Sequence, residues 1–123
     1  MATRRRIDPL DGAAAVRRWL DGAIDGGDVD RPTVATAVRY TLEELAARAP
    51  GHTVEVRVPP FGVTQCLAGP RHTRGTPPNV VETDAETWLA LATGRLSWAD
   101  ARATARVLAS GDRADLADVL PLT

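Results

Sequence analysis

The sequence predicts an α+β domain whose elements run helix, helix, three strands, helix, helix, strand, helix. Three observations predict it. Val54-Glu55-Val56-Arg57-Val58 alternates strictly between apolar and polar residues, the period of a half-buried strand. Val34, Val38, Thr41, Leu42, Leu45 and Ala49 recur three or four apart, the stripe of an amphipathic helix. The strands cluster between helices instead of alternating with them, which favours one sheet covered on one face by helices.

Each element has its own local reason. Asp8-Pro9 opens the first helix, Asp as N-cap and Pro at the first helical position. Leu10, Ala13, Val16, Leu20 and Ile24 would form its apolar face. Gly12 weakens its start, and Gly22 or Gly26-Gly27 ends it. Asp30-Arg31-Pro32 repeats the opening device for the second helix, which Pro50-Gly51 stops. Tyr40 lies off its stripe. The strand Thr53–Val58 ends at Pro59-Pro60, and Phe61-Gly62 turns into a second strand, Val63–Leu67, making a hairpin. Gly69-Pro70 breaks that strand, and Asn79–Glu82 is a short third one.

Thr83 and Glu86 have capping-box spacing for the next helix, with Ala85, Trp88, Leu89, Leu91 and Ala92 facing the core. Gly94 supplies a left-handed stop. Ser97 and Asp100 cap a short helix carrying Trp98, Ala101 and Ala105. An extended Arg106–Ala109 follows, then a turn at Gly111-Asp112 and a last helix with Leu116, Val119 and Leu120 before Pro121.

The 123 residues form one domain, residues 1–123, with residues 1–8 a flexible basic tail. Net charge is −1, so nothing favours bulk attraction to nucleic acid or to an anionic membrane. All 15 basic residues are Arg, as expected from a GC-rich genome. A chain without Lys has neither a Schiff-base nucleophile nor a P-loop lysine. The single cysteine, Cys66, precludes an intrachain disulfide and points to the cytoplasm. The basic Thr3–Arg6 segment lacks the apolar run of an export signal, and no stretch approaches the ~20 apolar residues of a membrane span.

The order of features from Thr83 onward resembles the C-terminal half of the sterol carrier protein 2 (SCP2-like) domain. The matching pieces are Thr93-Gly94-Arg95-Leu96, the short helix Trp98–Ala105, the strand Arg106–Ser110 and the leucines of Leu116–Leu120. Val58-Pro59-Pro60-Phe61-Gly62 and the stretch Gly69–Glu82 extend the likeness to the actinobacterial branch called the bacterial SCP ortholog, or sterol carrier family protein. The resemblance implies a roughly five-stranded, mainly antiparallel sheet covered by helices, with an apolar tunnel between the layers. It also implies a non-catalytic role: binding or carrying a lipid-like, fatty acid or acyl-type molecule. The alternative is an accessory or interaction domain without a cavity, related to the C-terminal domain of mycothiol-dependent maleylpyruvate isomerases. The family motif has a Gly six residues ahead of Gly111, where this chain has Ala105.

Trp88, Leu91, Trp98, Val56 and Leu67 are the candidate lining of the apolar pocket, and Trp19 could join them. Ordinary core packing is the competing reading for each tryptophan. The Gly69–Asn79 loop carries Arg71, His72, Thr73, Arg74 and Thr76 among prolines that limit its freedom. Its arginines could grip a carboxylate or phosphate, or simply bridge in solvent to Glu55, Glu82 or Asp84. Phe61 is either an exposed hairpin tip for a partner or membrane, or a lid over the sheet end. Cys66 would need a basic neighbour to react, and His72, six residues on, is the residue that could supply one. His52, Cys66 and His72 lack zinc-site spacing, and the two serines sit where caps and turns want them. No catalytic residue, metal or cofactor is expected. The expected partner is an apolar or amphipathic small molecule, with a homodimer or a protein partner as further possibilities, and no nucleic acid or stable membrane insertion.

Overall fold

The computed structural model describes residues 5–69 and 79–122. The elements are α1 (Pro9–Asp25), α2 (Arg31–Arg48), β1 (Val54–Val58), β2 (Gly62–Cys66), β3 (Val80–Glu82), α3 (Ala85–Ala92), α4 (Trp98–Ala103) and β4 (Leu108–Ser110). The α+β class and the order of the first eight elements agree with the sequence reading.

Among the described residues the sheet has four strands, not five, in the order β2-β1-β3-β4. It is mixed: β1 pairs antiparallel with β2 and parallel with β3, and β3 pairs antiparallel with β4. The alternation in β1 sorts its side chains as expected. Val54, Val56 and Val58 are fully buried, while Glu55 and Arg57 between them are half-buried and form an ion pair. Cys66 and Val81 lie beside Val54 and Val56 and are buried with them. This apolar face joins one core cluster with α2 and α3. The indole Nε1 of Trp88 on α3 donates to the Thr41 hydroxyl of α2 at 2.8 Å, so the two helices share a buried polar contact.

The stripe on α2 is as read: Val34, Val38, Thr41, Leu42 and Leu45 are buried, with Ala37 added. On α1 the predicted face is out of phase. The buried residues are Gly12, Ala15, Val16 and Trp19, whereas Leu10 and Ile24 are 80% and 63% exposed. Close approach decides this interface. A Cβ on Gly12 would stand 2.2 Å from the Tyr40 ring, so the glycine that weakens the helix is the seat for an aromatic side chain from α2.

Two further expectations are corrected. Asp84, not Thr83, caps α3: its carboxylate accepts from the Thr87 amide at 2.7 Å. Thr83 instead donates its hydroxyl to the Arg106 carbonyl, and Glu86 accepts from the Trp19 indole at 3.0 Å. The last helix does not form. Within residues 114–122 there is only a turn at 117–119, with the Val119 and Leu120 amides both reaching the Leu116 carbonyl. Pro121 leaves room for little more than that turn. The chain then continues so that Leu122 is buried beside α3, its amide on the Ala92 carbonyl at 2.8 Å and its carbonyl accepting from Arg48.

The ends of α3 and α4 are alike. After α3, Gly94 is left-handed (φ 80°), Arg95 N–H reaches Ala90 O and Gly94 N–H reaches Leu91 O, the paired bonds of a Schellman stop. After α4, Arg106 N–H reaches Ala101 O and Ala105 N–H reaches Arg102 O. Here the left-handed residue is Ala105, at φ 57°. An L-residue with a Cβ pays about 1–2 kcal/mol for that conformation, partly offset by the entropy glycine loses on folding. Ala105→Gly is therefore expected to stabilise the protein by about 1 kcal/mol, raising the melting temperature by about 4 °C. A calorimetric scan showing a lower melting temperature would contradict the turn geometry.

Candidate functional site

The five residues expected to line an apolar pocket occupy three kinds of place. Val56 and Trp88 are completely buried and Leu91 is 1% exposed. A side chain against a water-sized void would keep accessible surface, so these three are enclosed by packed atoms. Trp98 sits at the core margin at the first position of α4, with the Arg102 guanidinium 6.0 Å from its ring centre. Leu67 is half-buried and lies one residue beyond β2, in a left-handed turn (φ 68°). The structure thus brings Val56, Trp88, Leu91 and Trp98 into one cluster, with Leu67 packed at its edge.

Arg71, His72, Thr73 and Arg74 lie outside the described residues. The described residues on either side of them, Gly69 and Asn79, both meet Thr53 just before β1. On one side a Cβ on Gly69 would stand 2.8 Å from the Thr53 hydroxyl. On the other, Asn79 is buried, donates its amide to the Thr53 carbonyl at 3.0 Å and accepts from the Arg113 amide at 3.0 Å. Of the acids expected as alternative partners of Arg71 and Arg74, Glu55 is bound by Arg57 and Asp84 caps α3.

Cys66 is fully buried, and burial pushes its thiol up to about 11. The thiolate is the reactive form, so iodoacetamide at pH 8 should modify native Cys66 at least ~100-fold more slowly than the unfolded chain. Equal rates would show an accessible thiol. The same shift gives a sign for stability. The unfolded thiol ionises near 9 and the folded one near 11, so between those values the folded state holds more protons. Stability from this group is whole below pH 9 and falls as pH rises towards 11. His52 has Nδ1 2.8 Å from Gln65 Oε1 and lies beside β2. Among the described residues no group of three His, Cys, Asp or Glu side chains could hold a metal ion.

A cleft of about 450 Å³ that sequence reading did not foresee lies between α2, the start of β2 and the segment before α1. The basic segment is fastened there: Arg5 pairs with Glu44, and the Arg6 and Ile7 amides both reach the Glu43 carboxylate, at 2.8 and 3.1 Å. Arg39 Nε donates to the Phe61 carbonyl at 2.9 Å, and Arg31 stands 5.0 Å over the Phe61 ring. Phe61 is half-buried under that guanidinium. Two other depressions, of about 490 and 510 Å³, lie between α1 and α2 and beside the β2 edge. None of these three is lined by Val56, Trp88, Leu91, Trp98 or Leu67. The spacing of Arg39 and Glu43, one turn apart on α2, was the only sequence signal for the first cleft.

The α+β class, with helices packed on one mixed sheet, is the part of the SCP-type expectation that the described residues carry. Residues 30–122 match the family described as the bacterial SCP ortholog. The chain belongs to that family. No curated protein matches it. In this bacterial SCP ortholog the first 29 residues, including α1, lie outside the matched range. Helix α1 is packed onto it all the same, through Tyr40 against Gly12 and Trp19 against Glu86. No helix among the described residues is long and apolar enough to cross a membrane.

Proposed function

We propose that this protein is a non-catalytic, cytoplasmic binder or carrier of an amphipathic small molecule of the fatty acid or acyl type. The observation that carries this reading, beside family membership, is the chemistry of the layer between helices and sheet. Among the described residues its buried members are aliphatic side chains, tryptophans, a protonated thiol and a few hydroxyls and an amide, with no buried carboxylate, guanidinium or imidazole. Apolar ligand surface entering such a layer gains roughly 25 cal/mol per Å² before the costs of association. The ligand tail would lie against Val56, Leu67, Trp88, Leu91 and Trp98. Its polar end would meet Arg71, His72, Thr73 and Arg74.

Binding there requires the layer to part. One segment that covers the layer from outside any helix or strand is the C-terminal one, residues 114–122, which buries Leu116 and Leu122. Native mass spectrometry of freshly purified protein, followed by addition of a C16 fatty acid, tests the reading. A co-purifying or added acyl chain that raises the melting temperature and changes tryptophan emission is the expected result. No bound mass and no shift at saturating ligand would overturn it.

The full burial of Val56, Trp88 and Leu91 favours a second reading. In it the layer is a filled core and the protein is an accessory or interaction domain, related to the C-terminal domain of mycothiol-dependent maleylpyruvate isomerases. A stoichiometric protein partner together with no ligand uptake would select this one.

A further inference from the structure

We infer that the cleft between α2, the β1–β2 hairpin and the N-terminal segment is a second ligand site, one that takes a single-chain anionic amphiphile in monomeric form. Arg6 and Arg39 line it, with Ile7, Leu42, Phe61 and Val63 as apolar walls. The charge balance points to an anion. Among the described residues neither Arg6 nor Arg39, the two guanidiniums of the lining, has a carboxylate partner. Arg31 does not line the cleft but stands over the Phe61 ring beside it. The one acid in the cleft, Glu43, has both oxygens engaged by the backbone amides of Arg6 and Ile7.

The positions are set by the scaffold. Arg39 is held by its Nε bond to the Phe61 carbonyl, which leaves its terminal nitrogens to a ligand. A guanidinium presents paired N–H groups that fit carboxylate or phosphate oxygens, and an already ordered one costs less to recruit. The apolar component is equally specific. Val63 is 59% exposed at the cleft, a surface that a short alkyl chain would cover. The volume, about 450 Å³, is that of a small-molecule site and not of a protein interface. An ion alone would use the arginines and leave the walls bare. A neutral alkane would do the reverse. The two features together select a molecule with an anionic head and an alkyl tail.

This site is independent of the inter-layer reading, because its lining shares no residue with the pocket proposed there. The test is titration of the full chain with decyl phosphate below its micelle concentration, followed by calorimetry and by amide NMR shifts. Saturable one-to-one binding is expected, with shifts concentrated at Ile7, Leu42, Phe61 and Val63. Inorganic phosphate and decanol should each bind at least ~10-fold more weakly. Arg6→Gln, which removes no hydrogen bond made by that side chain among the described residues, should weaken binding several-fold. The double variant Arg6→Gln/Arg39→Gln should weaken it at least ~10-fold, with its melting temperature checked separately. Unchanged affinity in the double variant would overturn the inference. So would shifts confined to Trp88, Leu91 and Trp98, which would support the inter-layer pocket instead, or binding seen only to vesicles containing an anionic lipid.

Discussion

Trp88→Ala should destabilise the protein by about 3–5 kcal/mol, measured by urea unfolding. The side chain is completely buried, and its indole donates to Thr41 at 2.8 Å. The Thr41 hydroxyl donates in turn to the Ala37 and Val38 carbonyls at 2.8 and 3.0 Å, so it stays satisfied when the indole goes. Most of the loss is then the void left between α2 and α3. Trp88→Phe separates the two contributions. It keeps most of the ring volume and loses the hydrogen bond, for an expected ~1–2 kcal/mol. Against a typical total stability of about 5–15 kcal/mol, the alanine variant approaches the unfolding threshold. The result also bears on function. A solid core predicts the full loss. A wall of an open pocket has no packed neighbours on one side, so a loss under ~1 kcal/mol would show that Trp88 faces space that a ligand fills.

The sequence read best where one residue's chemistry fixes the backbone. Asp8-Pro9, Ser97 and Gly94 set helix ends through their own side chains or lack of one, and all three sit where they were read. The alternation of β1 was legible because a strand half in water must sort its residues by side. What could not be read depended on partners distant in the chain. The face of α1 was misphased because Gly12 and Ala15 do not register as apolar, yet small residues are what let Tyr40 come close. Asp84 and Thr83 are both good caps, and the choice was settled by Thr83 finding the Arg106 carbonyl, 23 residues away. Pairing of β1 parallel to β3 requires knowing where the 67–79 connection returns, which no local signal states. The Arg6–Arg39–Phe61 cleft draws on three separate elements, so only their assembly reveals it. The tryptophans were legible as apolar anchors, but whether they line a space or fill one is a property of neighbours, not of type.

Gly51→Ala is the other substitution expected to cost about 3 kcal/mol or more. Two penalties coincide at this position. Its φ is +147°, a region nearly closed to residues with a Cβ, at roughly 1–3 kcal/mol. A Cβ there would also stand 1.9 Å from the Leu67 carbonyl oxygen and 2.2 Å from the Leu67 carbonyl carbon. A flexible side chain could swing away from such a contact, but this is backbone and it is tied on both sides. Leu67 N–H donates to Ala49 O at 2.8 Å, and Leu67 O accepts from Thr53 N–H at 3.2 Å. Moving Leu67 would break the bonds that join the end of α2 to the hairpin. Gly27→Ala is the control: nothing lies within 4 Å of its would-be Cβ, and the change should stay within about 0.5 kcal/mol. If both variants unfold at the same urea concentration as the parent, the close approach of Gly51 to Leu67 is wrong. The junction between helix layer and sheet would then be looser than drawn, and an inter-layer ligand would have a ready way in.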